Sequence, residues 1–342
     1  MFLKTILLYP FFILKSIGIK SFENIGRSNA KSGKQISRSL PELHESLKYL
    51  EDAAQSVFQK KKSLTLIIDD TLISKKYSRE ICGTDFFYDT KTNQMVMGIK
   101  GLFCAVTDGN LCMPLSFDFL YVNHKNPFVL SKNEMVKHMI NHALNLFSDK
   151  LITVAADGAF ANRIILDWCL SNNIRIEMRM KSNCKVFYKN QFHVIRNIPK
   201  LKPKGKQKAR TIKVLWHEMQ LYLTAEKRID KHGEITFVYL IATFKAKSIE
   251  HITEYKNRWF IEKMFRTTKQ SLGLKDCFST KLETQKNHIG AVLVAYAITQ
   301  IEQKKYRLSS AEEAIKSIRD RNYNLANLSI CRSNATFGGA MA

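Results

Sequence analysis

Two short apolar runs, residues 64–68 and 151–156, constrain this chain most, because each is closed by an aspartate, Asp69 and Asp157. Runs of this length, apolar at successive positions and stopped by polar residues, predict strands covered on both faces, as when helices flank a sheet. Residues 95–106 and 111–120 add two aromatic-rich strands, and the Asp108-Gly109 pair between them predicts a hairpin. Met135, Met139, Ala143 and Leu146 recur at helical spacing within 131–147. After Asp157 a helix is predicted over 161–170 and an alternating strand over 174–180. The order of three strands, helix, strand, helix, strand gives an α/β class with a mixed sheet flanked by helices.

Beyond this unit the pattern changes. Residues 1–62 form an N-terminal helical region: an apolar opening that is too short to span a bilayer, then Leu43, Leu47, Leu50, Ala54 and Val57 at helical spacing. The opening also lacks the small-residue cleavage site of an export signal. Between Lys181 and Lys213 stand eleven Lys or Arg and no Asp or Glu, followed by strand-like runs at 214–223 and 235–244. We read residues 181–246 as a β-rich insertion. One long helix is expected over 248–272, an apolar helix over 289–301 and a basic amphipathic helix over 309–318. The domain boundaries expected are therefore 1–62, 63–306 and a C-terminal helix and tail, 307–342.

Lys and Arg outnumber Asp and Glu by 54 to 30, a formal charge of +24, which points to a polyanionic partner. The seven cysteines, Cys82, Cys104, Cys112, Cys169, Cys184, Cys277 and Cys331, contain no Cys-x-x-Cys pair, so neither a disulfide framework nor a zinc ribbon is suggested and a reducing, cytoplasmic setting fits. His138 and His142 lie four apart on a predicted helix but lack a nearby acidic motif, and with His124 they read as structural or surface residues.

Strand-end carboxylates from neighbouring strands can share a divalent cation, although a lone strand-ending Asp is more often a turn residue. The third element is Tyr255, Arg258, Glu262 and Lys269, whose spacings of three, four and seven put them on one face of the predicted helix. A solvated charged face would show the same spacing. What separates the two is the string YKNRWFIEKMFRTTK, residues 255–269, which resembles the Tyr, Arg, Glu, Lys signature of transposases of the insertion sequence four family. IIDDT at 67–71 resembles that family's first-Asp motif and VAADGAF at 154–160 its second. The resemblance covers residues 64–301 and implies an RNase H-like core.

It further implies that Asp69, Asp157 and Glu262 are catalytic and bind two Mg²⁺, with Mn²⁺ a substitute, and that Tyr255, Arg258 and Lys269 grip DNA phosphates. Asp69 and Asp70 point to opposite sides of a strand; the motif favours Asp69. Trp259, Phe260, Met264 and Phe265 are expected to pack this helix on the sheet. The insertion's Lys181, Lys185, Lys202, Lys204, Lys206, Lys208 and Arg210 are expected to lie along DNA, and Trp216 fits a buried strand position better than a base-stacking one. By resemblance the chain cleaves double-stranded DNA at terminal inverted repeats and joins it to target DNA, as a homodimer at the nucleoid, with no membrane role. Two other readings stay open: a nuclease of the same fold that never joins strands, and a shortened or inactive descendant that only binds DNA.

Overall fold

The computed structural model describes residues 2–76, 80–89, 92–121 and 130–321. His124, Cys331 and the tail from residue 322 onward lie outside them. The strands are β1 (Ser63–Ser74), β2 (Asp85–Asp89), β3 (Gln94–Thr107), β4 (Cys112–Leu120), β5 (Leu151–Ala156), β6 (Arg175–Met180), β7 (Lys185–Tyr188), β8 (Gln191–Val194), β9 (Ala209–Trp216), β10 (Met219–Ile229) and β11 (Ile235–Ala242). The helices are α1 (Phe2–Lys15), α2 (Phe22–Ser28), α3 (Gly33–Arg38), α4 (Leu43–Phe58), α5 (Lys132–Leu146), α6 (Arg163–Ser171), α7 (Ser248–Lys256), α8 (Trp259–Gln270), α9 (Leu282–Tyr306) and α10 (Ala311–Asp320).

The core is the expected mixed sheet flanked by helices. β4, β3 and β1 pair antiparallel in turn, then β5 lies parallel to β1 and β6 parallel to β5. β2 is an additional strand: it pairs with the first half of β3 at the sheet edge, in line with β4. Its sequence, DFFYD, buries only Phe87, and with the apolar Phe86 and Tyr88 exposed on either side no alternation of apolar and polar residues betrays it.

The insertion extends the same sheet, because β11 pairs antiparallel with β6 and is followed outward by β10, β9, β7 and β8. The run at 214–223 is two strands rather than one. His217 and Glu218 both take positive φ, 47° and 69°, and turn the chain between β9 and β10. A two-residue turn with both φ positive is normally signalled by Asn or Gly, and His-Glu carries no such signal.

α5 and α6 cover one face of the sheet, while α7 and α8 cover the other. The long α9 is buried nearly all round, between α1, α4, α8, α10 and β4, as a helix apolar on every side must be. One polar chain ties α1 to it: the Tyr9 hydroxyl donates to His288 Nδ1 at 2.9 Å, and His288 Nε2 donates to the Gly273 carbonyl at 2.8 Å. Burial holds His288 neutral, lowering its pKa to about 4. Among the described residues no helix is long and apolar enough to cross a membrane.

Candidate active site

β1 runs past the point at which β5 leaves it. On one edge its ladder with β5 ends at Ile68↔Ala156, while on the other its ladder with β3 continues to Ser74. Asp69 therefore lies within a long strand rather than at its end, as the sequence had suggested, but it is the first residue beyond the parallel pairing. Asp157 is the residue that follows β5. Register alone thus sets Asp69 and Asp157 side by side, in the crevice where two parallel strands part.

The period of two along β1 sorts its side chains. Asp69 turns toward the α7–α8 face, where Arg258 Nη1 donates to its Oδ2 at 3.1 Å. Thr71, two residues on, meets Lys269 Nζ at 2.6 Å, and the same ammonium donates to the Leu72 carbonyl at 2.9 Å. Asp70 turns the other way, to Lys100 on β3 at 3.2 Å and Lys132 on α5 at 2.6 Å. Of the two adjacent acids it is Asp69 that shares a partner with Glu262, because Arg258 Nη2 donates to Glu262 Oε1 at 2.5 Å.

The expected single helix over 248–272 is interrupted. At Asn257 and Arg258 the bonds run three residues back, Asn257 N to Glu254 O and Arg258 N to Tyr255 O, which tightens the turn. Asn257 Nδ2 donates to Thr65 Oγ1 at 2.7 Å, and that hydroxyl donates to Glu254 at 2.8 Å, pinning the break to β1. The break keeps Tyr255 and Arg258 on the same side, with the guanidinium 5.7 Å from the Tyr255 ring centre. α8 then meets the sheet through Ile261, Met264, Phe265 and Thr268, all buried. Trp259 stands two residues before Ile261, on the opposite side of the helix, and is 50% exposed, so it does not join Met264 and Phe265 in the core.

Burial raises the Asp69 carboxyl to about 7. Arg258 acts against the rise, and neighbouring Asp70 and Asp157 add to it. Burial likewise raises the Tyr255 hydroxyl, whose neighbours include Arg258, Asp157 and Arg179. Arg258 stays protonated throughout, since Tyr255, Asp69 and Glu262 outweigh the burial that would lower it.

The donor set suits a hard divalent cation: carboxylate oxygens, with Asp69 crowded by other acids whose mutual repulsion a cation would relieve. Among the described residues no three His, Cys, Asp or Glu side chains stand close enough together to hold an ion as they are. Arg258 occupies the span between Asp69 and Glu262. Where Asp69 must be ionised to take an ion, a cation competes with its proton below pH 7. Mn²⁺ affinity of the DNA-free protein is expected to rise about tenfold per pH unit up to about pH 7 and to level off above it; calorimetric titrations at pH 6, 7 and 8 check this, and a flat profile would contradict the Asp69 shift.

Next to Asp157 opens a cavity of about 710 Å³ lined by Arg179, Lys181, Arg196, Phe237 and Tyr239, among others. Lys181 was singled out from sequence, but Arg179 and Arg196 were not. Phe237 and Tyr239 reach this place because β11 pairs with β6, with Tyr239 opposite Met180, and Arg196 because the β7–β8 hairpin folds back to bond the Ser182 carbonyl at 3.0 Å. The one local sign was Arg179 itself, an exposed arginine between the buried Met178 and Met180 of β6. Lys185, Lys202, Lys204, Lys206 and Lys208 are exposed and Arg210 half-buried, spread over β7, β9 and the loop between them. Trp216 is half-buried, its ring edge-on to His217 at 4.5 Å. His142 bonds Glu51 at 2.9 Å, an ordinary surface pair.

Residues 60–298 match the family model described as Transposase DDE domain. No curated protein matches the chain in sequence. Among solved structures it is similar to one entitled "Crystal structure of the Mos1 Strand Transfer Complex", with 11% identity and a TM-score of 0.20 over 46% of this chain. The match takes in 52% of that structure's chain, about half its length.

Proposed function

The chain belongs to the transposase DDE domain family, and from that premise we propose that it is a transposase of the insertion sequence four group, cleaving DNA at the ends of its element and joining them to target DNA. Asp69, Asp157 and Glu262 are the catalytic acids in this reading. The observation that supports it is one guanidinium, Arg258, bridging Asp69 of β1 and Glu262 of α8 at the point where β1 and β5 part, with Asp157 at the end of β5 beside Asp69.

Asp69, Asp157 and Glu262 would hold Mg²⁺ or Mn²⁺, and a pair of such ions would supply stabilisation of the attacking and leaving oxygens of an in-line phosphodiester displacement. The chain's own groups do the positioning. Arg258 offers a two-pronged donor and Lys269 a point charge for phosphate oxygens beside the reacting bond, while Tyr255 supplies a hydroxyl from a buried ring. Lys269, now bound to Thr71 and the Leu72 carbonyl, lies one strand repeat beyond Asp69 on the same face, so a backbone crossing α8 passes both. Arg179, Lys181 and Arg196 extend the cationic surface from Asp157 into the insertion, and Lys185, Lys202, Lys204, Lys206, Lys208 and Arg210 continue it outward as sequence-independent contacts to the duplex.

The unit carrying this chemistry is residues 63–306, with 1–62 and 307–342 as flanking regions. Two element ends in one synaptic complex imply a homodimer, acting on the nucleoid in the cytoplasm. The decisive experiment incubates the protein with a duplex bearing the inverted repeat that borders its gene, pre-cut at the 3′ end, together with supercoiled plasmid and Mg²⁺. Joined products are expected. Cleavage of intact ends without any joining would favour the nuclease reading, and binding without either reaction would favour a descendant that has lost catalysis.

A further inference from the structure

Arg258 is more than a phosphate ligand waiting for DNA. Its two terminal nitrogens are both engaged by acids, Asp69 and Glu262, at 3.1 and 2.5 Å, in a site largely closed to solvent. Its Nε is buried and has no hydrogen-bond partner among the described residues. A side chain built only to brace the fold would have that donor satisfied, since a buried unpaired donor costs stability. The seat is electrostatically favourable and geometrically incomplete.

We propose that Arg258 is a resident stand-in for the divalent ion, neutralising Asp69 and Glu262 while the site is empty and leaving when the ion enters. The inference rests on the assignment of those two acids as ion ligands. One guanidinium and a divalent ion cannot both lie between the same oxygens, so the two compete. Displaced, Arg258 regains all its donors, on the side of α8 where Lys269 already lies, and becomes available to a DNA phosphate. Ion binding and DNA binding are then linked, and by reciprocity each strengthens the other. The device also keeps acids that repel phosphate screened until the ion arrives.

The test is Mn²⁺ titration of the full-length protein without DNA, followed by electron paramagnetic resonance, for wild type, Arg258→Gln, Arg258→Lys, Glu262→Gln and Asp69→Asn. Removal of the competitor is expected to tighten Mn²⁺ binding about tenfold or more in Arg258→Gln. Arg258→Lys, which cannot fork to both acids, should fall between and guards against a folding defect in the first variant. Mn²⁺ should also tighten wild-type binding to a fluorescein-labelled duplex of arbitrary sequence, with the gain lost in Arg258→Gln. Binding weakened by Glu262→Gln and Asp69→Asn but no tighter in either Arg258 variant overturns this inference and leaves the acids' assignment standing. Mn²⁺ binding that neither acid substitution alters overturns that assignment, and this inference with it. A duplex affinity equally responsive to Mn²⁺ in wild type and Arg258→Gln, or responsive in neither, overturns the release of Arg258 to DNA.

Discussion

Glu262→Gln, Asp157→Asn and Asp69→Asn are each expected to lower the rate of strand cleavage in Mg²⁺ by about a thousandfold or more, the scale on which single members of a catalytic constellation act. Asp70→Asn, one residue away, is expected to stay within about tenfold of wild type, equivalent to about 1.4 kcal/mol at most. The contrast follows from the strand's period of two. Asp69 faces α8 and shares Arg258 with Glu262, whereas Asp70 faces α5 and neutralises Lys100 and Lys132. Each substitution swaps a carboxylate for an amide of nearly equal volume, so a large loss reads out lost charge rather than lost packing. Single-turnover cleavage of an end-bearing duplex gives the four rates directly. Equal losses at Asp69 and Asp70, or a severe loss at Asp70 alone, would place the first acid on the wrong side of β1.

The second large effect concerns how Glu262 is held. Phe103 on β3 is fully buried, sits opposite Asp69 in the ladder, stacks on Phe117 with ring centres 5.5 Å apart, and meets Phe265 of α8 edge-on at 5.2 Å. It is the contact through which the sheet seats α8 beneath the acids. Phe103→Ala is expected to cost about 3–5 kcal/mol of stability, combining lost transfer energy with an unfilled cavity. Phe103→Leu should cost less than half as much, because it keeps most of the volume. Urea denaturation measures both. Cleavage by the Ala variant, assayed at a temperature where it stays folded, should also fall, since a shift of about 1 Å in a catalytic group can cost a hundredfold. A change in stability below about 1 kcal/mol would show that α8 is held in place by other contacts. Gly101, two residues earlier on β3, belongs to the same arrangement: a Cβ there would come within 2.5 Å of the Phe103 ring, so the strand needs glycine at that position for the ring to lie flat along it.

Much of this site could be read from the chain alone, for identifiable reasons. β5 is the run 151–156 residue for residue, because a strand covered on both faces must be apolar at successive positions and a polar residue must end it. The hairpin between β3 and β4 follows from Gly109, whose φ is +85°, and α5 from an apolar period of 3.6 closed at its start by the Ser131–Glu134 capping box. The acids were visible as members of motifs. Local patterns of this kind record which side of an element is buried and where it stops.

Other features depended on pairings that no local pattern encodes. Arg258 and Asp69 are 189 residues apart, as are Thr65 and Glu254. The break at Asn257 exists because Thr65 happens to lie within reach of its side chain, so the sequence, which reads as one continuous helix there, gave no warning. The same break and the angular spacing of α8 carried Trp259 out to solvent. Arg196 reaches Arg179 and Lys181 because the β7–β8 hairpin folds the chain back, with Arg196 N donating to the Ser182 carbonyl at 3.0 Å. The choice between Asp69 and Asp70 rested on the parallel ladder ending at Ile68, which fixes which side chain emerges beside Asp157 on the α8 face. The sequence by itself thus determined which three acids to consider, two of them closing short apolar runs and the third on a helix. Tertiary structure decided that Asp69, which the motif favours, shares an arginine with Glu262 while Asp70 turns to Lys100 and Lys132, because register and the order of strands in a sheet are properties of long-range pairing.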